Sequence, residues 1–192
     1  MSRYSELVNT VIQENLSVLA AVETREVTTL IDEIIKAQQI QIFAMGRMKL
    51  SAQGFAMRLM HMGFNVHFVF DVTCPRIGPG DLLIVQCAAT TIELGIMQLA
   101  KEAGARVCAI TAHPESEHGT VADFTVRVPG QIFGGPDEIP SAQPMASLLE
   151  QSLLLFEDIV AMLLMEQLEI GSKDMEERHT NLEGVMGEFA GE

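Results

Sequence analysis

Five short apolar runs, separated by helical stretches, constrain this chain more than any other feature. Ile40 to Met45, Val66 to Phe70, Leu82 to Gln86, Arg106 to Thr111 and Phe124 to Val128 each read as a buried strand. A helix is expected from the Gly46-Arg47-Met48-Lys49 turn to about His61, ending at Gly63. Another is expected over Thr91 to Ala103, and a short one after Pro114. Strands that alternate with helices form a parallel sheet covered on both faces. Right-handed crossovers then leave few topologies. The expectation is a three-layer αβα sandwich with a five-stranded parallel sheet in the order 2-1-3-4-5. Such sheets bind ligands beyond the carboxyl ends of the strands, where the strand order reverses. The turns at Gly46 and Cys87 thereby become opposite lips of one crevice.

Two helical patterns precede the first strand. Leu7, Val11, Val18 and Val22 form one apolar stripe, and Val27, Leu30, Ile31, Ile34 and Ile35 form the next. At the other end, the segment after Pro144 is apolar on nearly every side as far as Gly171. A helix of that kind must be covered all round, and the simplest cover is a second subunit. Ser172 to Glu192 reads as a polar helix. The chain is therefore expected to be one domain, with a helical arm over 1–38, a core over 39–170 and a helical tail over 172–192.

Composition removes several function classes. The net charge is −14 and there is no basic stretch, so nucleic acid and anionic membrane are poor partners. No apolar run reaches the roughly 20 residues that span a bilayer. Met1 to Glu6 lacks the basic and apolar regions of a signal peptide, and Cys74, Cys87 and Cys108 fit no zinc or redox spacing. A reducing cytoplasm is the expected setting. No metal-ligand spacing, nucleophile triad or dinucleotide fingerprint is present, so neither metal nor cofactor is expected.

The phrase Pro144-Met145-Ala146-Ser147-Leu148-Leu149-Glu150 places a carboxylate in the first turns of the apolar helix. A base that lifts a carbon-bound proton needs such a place, because burial raises its pKa toward neutrality. The alternative is a carboxylate that faces outward or favours the helix N-terminus. Gly46, Arg47, Met48 and Lys49 combine a helix N-terminus with two cations, which suits an anion or a plain solvated turn. In Cys87-Ala88-Ala89-Thr90-Thr91 the small side chains let a ligand approach the backbone, while Thr90 or Thr91 equally suits a helix cap. His61 ends a helix, where the dipole favours it.

Phe55-Ala56-Met57-Arg58-Leu59-Met60-His61-Met62-Gly63-Phe64-Asn65-Val66 closely resembles the phosphohexuloisomerases of the sugar isomerase (SIS) superfamily. The resemblance extends through Thr73-Cys74-Pro75, Gly80-Asp81-Leu82-Leu83-Ile84, Ala109-Ile110-Thr111, the Pro144 to Glu150 phrase and Arg178-His179-Thr180-Asn181-Leu182-Glu183. It implies an SIS, flavodoxin-like fold and metal-free isomerisation of a 3-hexulose 6-phosphate to fructose 6-phosphate through an enediol. It implies Glu150 as the base, His61 as the acid–base histidine, His179 near the substrate, and a tetramer or dimer with sites at subunit contacts. Two turns depart from the family pattern. Where the family reads Gly-Arg-Ser-Gly, Met48 and Lys49 replace Ser and Gly. Where it reads Ser-Gly-Ser-Gly-Glu-Thr, this chain has Cys87-Ala88-Ala89-Thr90-Thr91-Ile92. Lys49 is the residue that could compensate for the lost phosphate hydroxyls. A noncatalytic sugar-phosphate-binding SIS module and an isomerase for a different sugar are the alternative expectations.

Overall fold

The structure is a computed structural model, and it describes residues 2–88 and 90–183. Helices α1 (Arg3–Ala20) and α2 (Thr24–Lys36) precede β1 (Ile40–Phe43), α3 (Met48–His61) and β2 (Val66–Phe68). Then come β3 (Leu82–Cys87), α4 (Thr91–Glu102), β4 (Arg106–Thr111), α5 (Glu117–Val121) and β5 (Phe124–Arg127). Helices α6 (Ser147–Gln167) and α7 (Ser172–Arg178) follow. All strand pairs are parallel, in the order β2-β1-β3-β4-β5. The expected sandwich and strand order are both found.

Alternation along β3 explains the layering. Leu82 and Ile84 face a core shared with α1, α2, α3 and α6, whereas Leu83, Val85 and Cys87 face the layer that carries α4. Gln86 shares the parity of Ile84, so its amide enters the first core. The buried edge of α6, including Leu148, Leu149, Leu153, Phe156, Val160 and Leu164, fills that core. The opposite edge leaves Leu154, Leu155, Ile159, Met162 and Leu163 exposed. The outer face of α1 does the same with Leu7, Val8, Ile12 and Leu16. No helix among the described residues is long and apolar enough to cross a membrane.

Several boundaries differ from the expectations. β1 stops at Phe43 and β2 at Phe68, because Val69 and Phe70 turn away with Phe70 at φ +73°. Helix α3 begins at Met48, so Met48 and Lys49 belong to its first turn rather than to the preceding loop. The tail helix ends at Arg178, and His179 is already extended. A polar segment with no buried residue has little to hold it helical. Residues 184–192 of the expected tail lie outside the described residues.

Candidate active site

The crevice lies where β1 and β3 diverge. Its first lip is the β1–α3 turn. Gly46 adopts φ +58°, a left-handed conformation that favours glycine, and a Cβ built there meets nothing within 4 Å. Arg47 follows as the α3 N-cap and reaches across to α6. Its Nη1 lies 2.7 Å from Glu150 Oε2 and donates to Ser147 Oγ at 3.1 Å. The Glu150 side chain is 15 % exposed and that of Arg47 60 %, so the pair is half-sunk. Around it lies a pocket of about 190 Å³, lined mainly by apolar residues: Met45, Met48, Ala88, Ile132, Ala146 and Leu149.

The placement of Glu150 depends on how α6 begins. Ala146 makes no side-chain cap, and Met145 just before it holds φ +58° although it is not glycine. Such a backbone costs of order 1 kcal/mol or more and persists only when its surroundings hold it. They do so from α1. Glu14 accepts hydrogen bonds from Ser141 Oγ, the Ala142 N–H and Gln143 Nε2. Gln143 in turn accepts from Gln151, and Asn15 donates to Gln151 and accepts from Ser152. Burial pushes the Glu14 carboxyl up, but these donors outweigh it and bring it below its ordinary value. From the sheet side, Gly130 packs against α6 so closely that a Cβ would sit 2.7 Å from the Leu149 Cα.

The second lip is the β3–α4 turn, and its interior is occupied. Glu93, fully buried, accepts the Ala88 N–H at both carboxylate oxygens (3.1 Å each) and the Thr90 N–H at 2.9 Å. Thr90 Oγ1 accepts the Glu93 N–H and closes a capping box. The cap alternative for Thr90 is therefore the one realised. Cys87 lies in the core, its thiol donating to the Val85 carbonyl and its pKa pushed up by burial. Thr91 opens α4 and is exposed, and Ala89 lies outside the described residues. Among the described candidates of this lip, Ala88 lines the pocket with Glu150, and Cys87, Thr90 and Thr91 do not.

The other candidates are dispersed. Lys49 does not line that pocket; its Nζ lies 5.1 Å from the Phe68 ring centroid, on the β2 side. His61 is buried and its ring lies 4.9 Å from that of His179. Both line a different cleft of about 510 Å³ between α3, α6 and α7, with Arg58, Asp158 and Glu176. Within one chain, Glu150 and His61 thus face separate cavities. Among the described residues, no group of three His, Cys, Asp or Glu could hold a metal ion.

Sequence reasoning missed two groups. Glu138 accepts the N–H groups of Ile132, Phe133 and Gly134 and pairs with His113 at 2.8 Å, fixing the loop that carries Ile132 into the pocket. Burial raises its carboxyl, and those donors outweigh it and hold it below the usual range. Glu157, buried within α6, accepts from Gln86 Nε2. Burial pushes its pKa up to about 8, against the lowering effect of Gln86. Glu138 stands in a segment read as loop, and Glu157 is a charge within the apolar helix, the same signal that marked Glu150.

The SIS domain model matches residues 33–155, a span that holds the whole five-stranded parallel sheet and the Arg47–Glu150 pair. The chain belongs to that family. Among curated proteins it is similar to the 3-hexulose-6-phosphate isomerase of Bacillus subtilis, with 38 % identity covering 93 % of this chain and 98 % of the relative. It is 32 % identical to the 3-hexulose-6-phosphate isomerase of Methanocaldococcus jannaschii, over 95 % and 99 % of the two chains. A solved structure of a Methanococcus jannaschii protein, from which a function of 3-hexulose-6-phosphate isomerase was inferred, superposes with a TM-score of 0.81. It has 30 % identity and covers 92 % of this chain and 99 % of that one. Within the SIS family, these relatives set the chain beside the 3-hexulose-6-phosphate isomerases.

Proposed function

We infer that the protein is a phosphosugar isomerase interconverting a 3-hexulose 6-phosphate and fructose 6-phosphate. The observation that carries this reading is the Arg47–Glu150 pair, set at the switch point of an SIS sheet. Glu150 removes the proton from the carbon beside the substrate carbonyl and returns it to the former carbonyl carbon. Between the two transfers the substrate is an enediol, and one hydroxyl proton crosses in the same sense, from the oxygen on the deprotonated carbon to the former carbonyl oxygen. Arg47 stands where negative charge develops on those oxygens and stabilises it. The apolar walls exclude water and strengthen that interaction.

His61 enters this scheme through assembly. The exposed apolar faces of α1 and α6 are of the kind that a homo-oligomer buries, as a tetramer or a dimer. A neighbouring subunit could then present its His61 and His179 cleft to Glu150, so that the histidine serves the substrate oxygens. The whole chain acts as one SIS unit, in the cytoplasm.

Purified protein should convert 3-hexulose 6-phosphate to fructose 6-phosphate, followed by coupled reduction of a nicotinamide, without added metal. Absence of turnover, together with heat protection by the sugar phosphate, would replace this reading with the noncatalytic binding module. One observation favours that second reading: the Ala88 and Thr90 N–H groups, on the turn that corresponds to the family's phosphate loop, already bind Glu93.

A further inference from the structure

Three elements supply the candidate site: the start of α3 with Arg47, the end of β3 with Ala88, and the start of α6 with Glu150. Beneath the pocket, a buried polar chain joins the same three elements. Glu157 lies two helical turns beyond Glu150, and therefore on the same side of α6. Its Oε1 accepts a hydrogen bond from Nε2 of Gln86, which stands two residues before Ala88 on the same face of β3. The single Ser51 hydroxyl proton is shared between the Met48 carbonyl in the first turn of α3, at 2.9 Å, and Gln86 Oε1, at 3.4 Å. Glu157, Gln86 and Ser51 are at most 4 % exposed.

A buried carboxyl group in an otherwise apolar layer is costly, and leucine would pack there without that cost. Glu157 Oε2 is also buried with no hydrogen-bond partner among the described residues, so the group is not optimised for stability. A polar chain of this kind fixes one arrangement where apolar packing would tolerate several. We propose that Glu157 is a positioning residue: through Gln86 and Ser51 it locks α6, β3 and α3 in the register that brings Glu150 to Arg47. It touches no substrate. The inference rests on the isomerase reading for its kinetic consequence, but the register itself is independent of any substrate.

The test compares Glu157→Leu with Glu157→Gln in the full-length protein. The leucine variant leaves the buried Gln86 Nε2 without its acceptor, so its melting temperature should fall, and its kinetics are read at a temperature where circular dichroism shows it folded. Its kcat should fall at least about tenfold through displaced geometry, with KM within about threefold. The glutamine variant, which can still accept from Gln86, should keep kcat within about threefold of the parent. Hydrogen exchange, read without substrate, should rise in the leucine variant at residues 46–51, 84–88 and 147–152 and stay unchanged in α2 and β5. A folded leucine variant with parental kcat, or a glutamine variant as impaired as the leucine one, overturns the proposal. If the parent protein shows no isomerase turnover, the functional reading fails, and exchange alone decides: unchanged rates in those three segments overturn the locking role.

Discussion

The two lips of the crevice are built alike and used differently. Each is a strand, a tight turn and the first turn of a helix, and each holds a carboxylate. At the β3–α4 lip the carboxylate is Glu93, from the helix that the lip itself begins, fully buried and bound by the N–H groups of Ala88 and Thr90. At the β1–α3 lip it is Glu150, from a helix far along the chain, paired with an arginine that is more than half exposed. A carboxylate enclosed by its own loop orders that loop. One held by a water-accessible arginine can exchange that partner for a substrate. In the proposed mechanism proton chemistry belongs to the first lip, and the Glu93 hydrogen bonds give the second its structural order.

The sharpest way to break this division is Glu150→Gln. Turnover should fall by at least about 10²-fold, the scale of a lost general base, while thermal stability stays near that of the parent. An isomerase assay beside a melting curve reads both. Unchanged turnover would take Glu150 out of the reaction and dissolve the contrast. Glu93→Ala should give the inverse pattern. It removes the acceptor for two backbone N–H groups, and hydrogen bonds to a charged group contribute about 1.5–3 kcal/mol each. Urea denaturation should show a loss of about 3 kcal/mol, with turnover per folded molecule changed much less. A stable Glu93→Ala protein with lost turnover would move the chemistry to the second lip.

A third test concerns the layer beneath both lips. The folded pKa of Glu157 is about 8, above the ordinary carboxylate value of the unfolded chain. The folded protein therefore keeps a proton that the unfolded chain has released. Stability from this group is full below about pH 4.3 and falls as pH rises toward about 8. Glu157→Gln should flatten that decline, seen as a melting temperature that drops less between pH 5 and pH 8 than in the parent. Equal slopes would show that the carboxyl ionises freely in the fold. The smallest effect is expected for Lys49→Ala. The ammonium lies over Phe68, an exposed cation–π contact of about 0.5–1 kcal/mol. KM should be unchanged within about twofold. A large rise in KM would return Lys49 to the anion site and make the first lip a phosphate anchor.

What was legible in the sequence followed from periodicity. The five strands, their order and the two-lipped crevice came from apolar runs alternating with helices, and parallel topology left little choice. Arg47 and Glu150 were visible because charge stands out against apolar surroundings. Contacts decided by distance in space were not legible. Thr90 could be a cap or a ligand by its sequence alone, and only the position of Glu93 resolves it. Lys49 seemed available to an anion until the first turn of α3 rotated it toward β2. Glu157 is a charge in the same apolar helix as Glu150, but its partner Gln86 lies 71 residues away, and the loop that Glu138 ties together has no periodic pattern.

The arginine clamp also bears on how the molecule comes into being. Arg47 and Ser147 are 100 residues apart in the chain, and Glu150 lies further on. On a ribosome, β1 and α3 emerge and pair with β3 long before α6 exists. Contacts between distant parts of a chain form late and slowly, because the loop between them must first be closed. The Arg47–Glu150 contact therefore forms only after the strands of the sheet have been made, and until then Arg47 has no partner on α6. The proposed site is completed in one late step, when α6, anchored by Glu14 and Asn15 of the arm, docks. A chain stalled before that step would lack both the α6 edge that fills the first core and the carboxylate that meets Arg47.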